Sequence, residues 1–225
     1  MVSKEGIFII NKPKGMSSFA VVRFIRKQLG VKKIGHAGTL DPFASGVLIV
    51  LVGRYTKLFS QFLDYDKQYY ACLCLGKKTT TADPTGKVIQ NKDYSFITEE
   101  EVRRVLNSFK GELLQLPPMT SALKYKGKPL YLLSRKGIEI PRRKRKVNIK
   151  EIELIDFNLP QIRFKVTCSS GTYIRTLGEE IAERLGTVGF LEELERQAVG
   201  PYSLKEAITL EEVSPNKLIL PKINF

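Results

Sequence analysis

The sequence predicts an α+β fold, with a mixed, mostly antiparallel central sheet flanked by helices. Apolar runs and alternating apolar and polar stretches indicate strands, and apolar residues at helical spacing occur between them. The two kinds of segment do not alternate in a regular strand-helix-strand rhythm. No linker, repeat or low-complexity segment divides the chain.

The N-terminal region predicts a strand followed by a helix. Residues 6–15 form a short apolar run that ends in a Lys-Pro-Lys-Gly turn. Ser17 or Ser18 can cap the next helix, and Gly30 stands where it stops. The apolar residues at helical spacing are Phe19, Val22, Ile25 and Leu29.

The middle of the chain predicts two buried strands, a turn and a capped helix. Residues 46–52 form an apolar strand that we expect to be buried on both faces, and residues 69–75 form another. Residues 79–87 are a turn, and Thr98 with Glu101 makes a capping box. The apolar face of that helix consists of Val102, Val105, Leu106 and Phe109.

A second strand and helix follow the basic segment described below. Residues 162–168 alternate between apolar and polar side chains, which is typical of a half-buried strand. Residues 171–186 then predict a helix. Its apolar side carries Ile174, Leu177, Ile181 and Leu185.

Composition restricts the kinds of site that the chain can hold. The longest apolar run, residues 46–53, is too short to cross a bilayer, and the N-terminus lacks a signal-peptide pattern, so we expect a cytoplasmic protein with no membrane contact. The three cysteines occur without a C-x-x-C motif, which favours core thiols over disulfides or zinc. Only one histidine, His36, is present, which excludes histidine-rich metal sites.

The charge of the chain favours a polyanionic partner. There are 37 Lys and Arg against 23 Asp and Glu, with a formal charge of +14 and a pI near 9.7. Nucleic acid is the leading candidate, and a basic surface without a partner, as in a thermophile, is the alternative.

Positive charge is concentrated between Lys124 and Lys146, where ten Lys or Arg face the single acid Glu139. Tyr125 and Tyr131 lie among these charges, a pattern that suits phosphate contacts combined with base stacking. A solvated, mobile loop is the alternative, and the two interpretations are compatible because such loops often order on RNA.

The segment GHAGTLDPFASGVLIV, residues 35–50, places Asp41 just before a proline. An aspartate in this position is usually a turn or helix cap. Gly35 and Gly38 permit close backbone approach on one side, however, and an apolar strand anchors the other. A carboxylate placed in this way is held in position and is a candidate nucleophile.

Several segments resemble the TruB family of pseudouridine synthases, which isomerise uridine 55 in the T loop of tRNA. Residues 35–48 resemble the family signature, and the similarity covers about residues 6–210. The other matching segments are NKPKGMSS (11–18), DKQY (66–69), TTTADPTG (79–86), SALKYKGKPLY (121–131) and GTYIRTLGEEIAERLG (171–186).

The resemblance implies a pseudouridine synthase catalytic domain over residues 1–210. It also implies an RNA-gripping insertion at about 121–147. Residues 211–225 would be a tail at the point where a PUA-like domain begins in many family members.

The resemblance also implies catalytic roles for three residues. Asp41 would be the nucleophile, Tyr69 would stack on the flipped uracil and help remove the C5 proton, and Arg175 would pair with the catalytic carboxylate. Taken without the resemblance, Tyr69 is a packed core ring and Arg175 is a partner of Glu179 one helical turn away.

Further residues are implied to bind the RNA substrate. His36 would help the target base leave the stack, and Leu194 would pack near that base. The chain has Leu194-Glu195-Arg196 where the family commonly has Leu-Arg-Arg, so one expected RNA-facing cation is reversed in sign. The remaining predicted RNA contacts are Lys12, Lys124, Tyr125, Arg142, Arg143, Lys144 and Arg145.

We therefore expect a stand-alone enzyme acting on the T stem-loop of tRNA, without cofactor, metal or protein partner, and monomeric. No phosphate-binding or dinucleotide-binding glycine motif is present. Two alternatives are a non-catalytic RNA-binding or tRNA-folding module and the related guide-RNA-dependent synthase of archaea and eukaryotes. The presence of Asp41, Tyr69 and Arg175 favours an enzyme, and His36 favours the stand-alone type.

Overall fold

A computed structural model describes residues 5–222. Its strands and helices follow in the order β1 (Gly6–Lys12), α1 (Ser18–Leu29), β2 (Ile34–Ala37), β3 (Ser45–Val52), α2 (Phe59–Asp64), β4 (Lys67–Leu75), β5 (Lys77–Thr79), β6 (Val88–Asn91), α3 (Glu99–Asn107), β7 (Gly111–Gln115), β8 (Lys124–Tyr125), β9 (Lys128–Pro129), α4 (Leu130–Ser134), β10 (Arg145–Asn158), β11 (Gln161–Cys168), α5 (Ile174–Arg184), β12 (Gly189–Val199) and β13 (Tyr202–Ser203). Within the described range, no helix is long and apolar enough to span a membrane.

The chain divides into two compact units, and we describe each by itself. The first unit consists of Met1–Tyr70 and Leu194–Phe225, and the second of Ala71–Glu193. The first unit is therefore discontinuous in sequence. That the two units together form one catalytic domain over residues 1–210 stays a prediction.

Strand β3 is the centre of the first unit. Both β1 and β2 pair with it antiparallel, and β12 joins it in parallel through Glu195 and Arg196. The apolar side chains of β3 enter two separate clusters: Leu48, Val50 and Val52 pack with α1, whereas Val47, Ile49 and Leu51 pack with Phe62 and Tyr202. The prediction that residues 46–52 are buried on both faces is confirmed.

Helix α1 begins and ends as its sequence predicts. The side chain of Ser17 accepts a hydrogen bond from the backbone N–H of Ala20, and Gly30 closes the helix in the left-handed conformation, with φ of 64°. The tail returns to the same unit, because Ile219 and Ile7 exchange backbone hydrogen bonds of 2.9 and 3.1 Å.

The second unit contains a sheet in the order β4, β11, β10, β7, with β10 antiparallel to both of its neighbours. Helix α3 has the predicted capping box between Thr98 and Glu101. The turn after residue 79 connects the hairpin strands β5 and β6. The strand and the helix predicted after the basic segment are β11 and α5.

Antiparallel pairing predominates, and the β3–β12 pair is parallel. The predicted α+β class with a mixed, mostly antiparallel sheet is confirmed. Cys72, Cys74 and Cys168 are free and buried, as expected for core thiols. Burial raises the pKa of the Cys72 thiol to about 11, which keeps it protonated at neutral pH.

Candidate active site

Asp41 lies in the loop between β2 and β3, and this loop is fastened at several points. The buried hydroxyl of Ser18 accepts from the backbone N–H of Leu40 at 2.8 Å and donates to the Leu40 carbonyl at 3.0 Å. The N–H of Gly15 donates to Pro42 at 2.7 Å, and the Ala44 N–H donates to the carbonyl of Asp41 at 3.1 Å. The half-buried carboxylate is therefore carried by a backbone that is held on both sides.

Arg196 of β12 contacts the same loop from inside the first unit. Its side chain is 1% exposed. It donates to the carbonyls of Val47, Gly38 and Thr39 at 2.7, 3.0 and 3.4 Å. The sequence indicated neither the burial of Arg196 nor its partners.

Lys12 is also buried in the first unit, at 0% exposure. Its ammonium group donates to the carbonyls of Pro13 and Met16 at 2.8 and 2.7 Å. Burial lowers the pKa of Lys12 to about 8, the charge of Asp41 partly offsets that shift, and Arg196 adds to it. Lys12 therefore interacts electrostatically with Asp41, and a direct contact with RNA stays a prediction that requires this turn to open.

His36 lies in β2 opposite Val50 and is half-buried. Burial, followed by the nearby charge of Arg196, lowers the pKa of His36 below its ordinary value, so the imidazole is neutral at pH 7. Its Nδ1 is buried and has no hydrogen-bond partner among residues 5–222. A buried, unpartnered nitrogen of this kind is available to a ligand.

Tyr69 and Leu194 belong to the first unit as well. Tyr69 lies in β4 and is 8% exposed, and Leu194 lies in β12 and is 5% exposed. The first unit thus contains Asp41, His36, Tyr69 and Leu194. Their predicted roles in catalysis and base contact stay predictions.

Arg175 belongs to the second unit, in the first turn of α5, and is 4% exposed. It donates to the Asp83 carboxylate at 3.3 Å and to the Thr81 carbonyl at 2.9 Å. It also donates to the hydroxyl and the carbonyl of Thr120, at 2.6 and 2.9 Å. The predicted pairing of Arg175 with Asp41 stays a prediction, and the carboxylate partner within its own unit is Asp83.

Asp83 was not selected from the sequence as a site residue, although it stands in the TTTADPTG segment. Its Oδ1 accepts from the Thr81 hydroxyl at 2.7 Å and from the Thr85 N–H at 2.9 Å, which leaves Oδ2 for Arg175. Gly86 closes the turn, because a Cβ there would lie 2.5 Å from the Thr81 hydroxyl. The turn therefore presents one fixed carboxylate oxygen to the arginine.

The basic segment is more ordered than a free loop. The β8–β9 hairpin and α4 lie within it, and Arg145 starts strand β10 and pairs with Gln115. Lys124, Tyr125, Arg143, Lys144 and Arg145 are exposed, as RNA contacts require. Arg142 differs, because it donates to the Pro117 carbonyl and to Glu139, both at 2.9 Å.

A cavity in the second unit lies between this segment and α5. It is lined by Thr81, Thr120 and Arg142 and by the acids Glu139, Glu179, Glu180 and Glu183. Burial raises the pKa of both Glu179 and Glu180.

Comparison with known proteins assigns the family. The model of the TruB family pseudouridylate synthase (N terminal domain) matches residues 26–174. The tRNA pseudouridine synthase B of Clostridium tetani is 47% identical over 214 residues, which cover 95% of this chain and 74% of that protein. The protein of the same name from Desulfotalea psychrophila is 46% identical, with coverages of 91% and 85%.

Solved structures show the same fold. A chain in the crystal structure of a Cbf5-Nop10-Gar1 complex matches with a TM-score of 0.73 and 31% identity, covering 93% of this chain and 53% of that one. A chain in an H/ACA RNP bound to a substrate RNA containing 2′-deoxyuridine matches with a TM-score of 0.70 and 28% identity, with coverages of 93% and 52%. This chain spans about half the length of either.

These matches define a pseudouridine synthase fold. Within that class, the chain belongs to the TruB family of pseudouridylate synthases.

Proposed function

We propose that this chain is a stand-alone tRNA pseudouridine synthase that isomerises uridine 55 of the T loop. The observation that carries the proposal is Asp41, a carboxylate on a loop fastened by Ser18 and Arg196, in a chain of this family. The formal charge of +14 suits a tRNA substrate. Identity is also higher to proteins named tRNA pseudouridine synthase B, at 47%, than to the chain of the Cbf5-Nop10-Gar1 complex, at 31%.

The proposed reaction is an isomerisation whose atoms balance within the nucleoside. Asp41 adds to the target nucleoside, the bond between N1 and C1′ breaks, and the uracil turns so that C5 faces C1′. The new C5–C1′ bond forms, the bond to Asp41 breaks so that the carboxylate is regenerated, C5 loses a proton and N1 gains one. No redox or phosphoryl group is consumed, so a nucleophile and a proton path are sufficient.

The other residues of the first unit have roles that fit their environments. The target base must leave its stack before it can react, and a pocket must replace the lost stacking. We assign extrusion of the base to His36, whose neutral ring can pack against it, and contact with the flipped base to Tyr69 and Leu194. Tyr69 also assists removal of the C5 proton. The pairing of Arg175 with the Asp41 carboxylate stays a prediction.

Asp41→Asn tests the proposal directly. The variant keeps the size of the side chain but removes the nucleophile, so pseudouridine formation in a T stem-loop RNA should fall at least about 10⁴-fold. RNA affinity should stay within about threefold, because Asp41 is not a phosphate ligand. The measurements are mass-spectrometric mapping of pseudouridine and filter binding. Asp64→Asn, at an exposed position, is the matched control.

Two further outcomes separate the alternatives. Product formed by Asp41→Asn at the wild-type rate would refute the assignment of the nucleophile. A wild-type protein that binds the stem-loop but forms no pseudouridine would indicate the non-catalytic RNA-binding module. An RNA with cytidine at position 55 should stay unmodified, which tests the choice of position. We also expect a monomer, which sedimentation checks.

A further inference from the structure

Arg196 is a buried cation whose hydrogen bonds go to backbone carbonyls. The three acceptors are the main-chain oxygens of Val47, Gly38 and Thr39. Burying a guanidinium group is costly unless its donors are satisfied. The three carbonyl oxygens satisfy its donors without neutralising the charge.

The three acceptors lie on both sides of Asp41 in the sequence. Gly38 and Thr39 precede it by three and two residues, and Val47 follows it at the start of β3. One planar side chain therefore ties the start of the loop to the strand that follows it. The backbone of Arg196 also packs closely against the backbone of Gly46, because a Cβ at Gly46 would lie 2.3 Å from the Arg196 carbonyl oxygen.

The strand places Arg196 and Leu194 on the same face. Residues two apart in a strand point to one side, and both side chains are buried, whereas Glu195 between them is half-exposed. Leu194 is the residue assigned above to the flipped base. Two side chains of this segment thus face the interior of the first unit. Leu194 is the proposed contact for the flipped base, and Arg196 contacts the Asp41 loop.

The positive charge of Arg196 changes the pKa of two neighbouring groups. It lowers the pKa of Lys12 and that of His36, in each case after the larger effect of burial. Asp41 acts on Lys12 in the opposite direction. The guanidinium group, Lys12, His36 and Asp41 therefore share one electrostatic neighbourhood.

We propose that Arg196 is a positioning residue of the isomerisation, which ties the start of the β2–β3 loop to strand β3 and so directs the Asp41 carboxylate at the target nucleoside. The proposal rests on the function proposed above. Arginine is required because three nitrogens of its rigid fork each reach a different carbonyl, whereas a lysine ammonium is a point charge on a flexible stem. A displacement of about 1 Å at a reacting group can cost about 100-fold in rate.

The experiment compares Arg196→Gln and Arg196→Lys with wild type on an unmodified T stem-loop. We expect the single-turnover rate at saturating RNA to fall about 100-fold in each variant, with the RNA Kd changed by less than about threefold. Arg196→Lys should fold even if Arg196→Gln is too unstable to measure, because it retains the buried charge.

The single histidine of the chain provides a second readout. His36 can be titrated by NMR without ambiguity, and removal of the nearby positive charge should raise its pKa in Arg196→Gln and leave it near the wild-type value in Arg196→Lys. Phe164→Leu, a core change in the second unit, is the stability control. It should lower the melting temperature but retain the wild-type rate.

The outcomes are distinct. A wild-type protein without activity refutes the proposed function, and the positioning role is refuted with it. An active wild type with Arg196 variants within threefold of its rate overturns the positioning role. A loss that appears in the Kd instead of the rate would make Arg196 an RNA contact and overturns it as well. A rate loss in Phe164→Leu equal to that of the Arg196 variants would attribute the effect to stability.

Discussion

The two units hold their buried arginines in different ways. In the second unit, Arg175 lies against a carboxylate, Asp83, at 3.3 Å, and both side chains are nearly inaccessible. In the first unit, the acceptors of Arg196 are carbonyls of the loop that carries Asp41. An arginine paired with a carboxylate has its charge neutralised locally, whereas one held by carbonyls keeps its charge. The first unit therefore maintains a positive environment near its candidate nucleophile, and the second maintains a neutral pair.

Asp83→Asn should produce the largest change in stability. The substitution removes the buried carboxylate that pairs with the guanidinium group of Arg175, which should cost about 3–5 kcal/mol of unfolding free energy. Urea unfolding measures the loss. Asp156→Asn is the control, because Asp156 pairs with Arg163 at 3.0 Å on the surface and should cost less than about 1 kcal/mol. Equal costs for the two variants would remove the contrast between a buried pair and an exposed one.

Lys12→Met should produce an intermediate effect that depends on pH. The pKa of Lys12 is about 8 in the folded protein and 10.5 when unperturbed, so between these values the unfolded chain binds a proton that the folded chain does not. Its contribution to stability therefore rises with pH across this window, by up to about 3 kcal/mol. The difference in unfolding free energy between wild type and Lys12→Met, measured from pH 7 to 10.5, should follow this trend.

The exposed Lys57→Met is the control for that series. A difference between wild type and Lys12→Met that is flat with pH would mean that Lys12 is not desolvated by its surroundings. The buried cations of the first unit would then differ less from the Arg175–Asp83 pair of the second unit.

Single substitutions in the basic segment should have the smallest effects, and these should appear in the salt dependence of RNA binding. Replacing exposed Arg143, Lys144 or Arg145 by Gln should reduce the salt slope of RNA binding by about one for each phosphate that is no longer neutralised. Arg142→Gln should change the slope less, because that side chain already donates to Pro117 and Glu139. Filter binding across a range of salt concentrations tests this, and four equal slopes would show that the internal bonds of Arg142 do not matter.

Local features of the fold were predictable from the sequence. The Ser17 cap, the capping box at Thr98 and the doubly buried strand β3 each depend on neighbouring residues or on periodicity. The signature around Asp41 was equally visible, since two glycines and an apolar run define its loop.

The partners of the buried charges were not predictable in the same way. Arg196 is 158 residues from Gly38, and Arg175 is 92 residues from Asp83. Hydrogen bonds between residues so far apart in the chain produce no periodic pattern from which a single sequence could predict them. Lys12 and Arg142 were predicted to contact RNA, and only the tertiary structure shows that their side chains, like that of Arg196, donate to backbone carbonyls of the protein.

The parallel pairing of β12 with β3 has a consequence for the synthesis of the protein. A ribosome makes the Asp41 loop early, but the arginine that ties its ends together is added only after all of Ala71–Glu193 has been made. Until then the loop has Ser18 and Gly15 to hold it, and β3 lacks the strand that pairs with Ser45 and Gly46. The nascent chain therefore carries its candidate nucleophile for more than a hundred residues of synthesis before the arginine that holds the Asp41 loop is added.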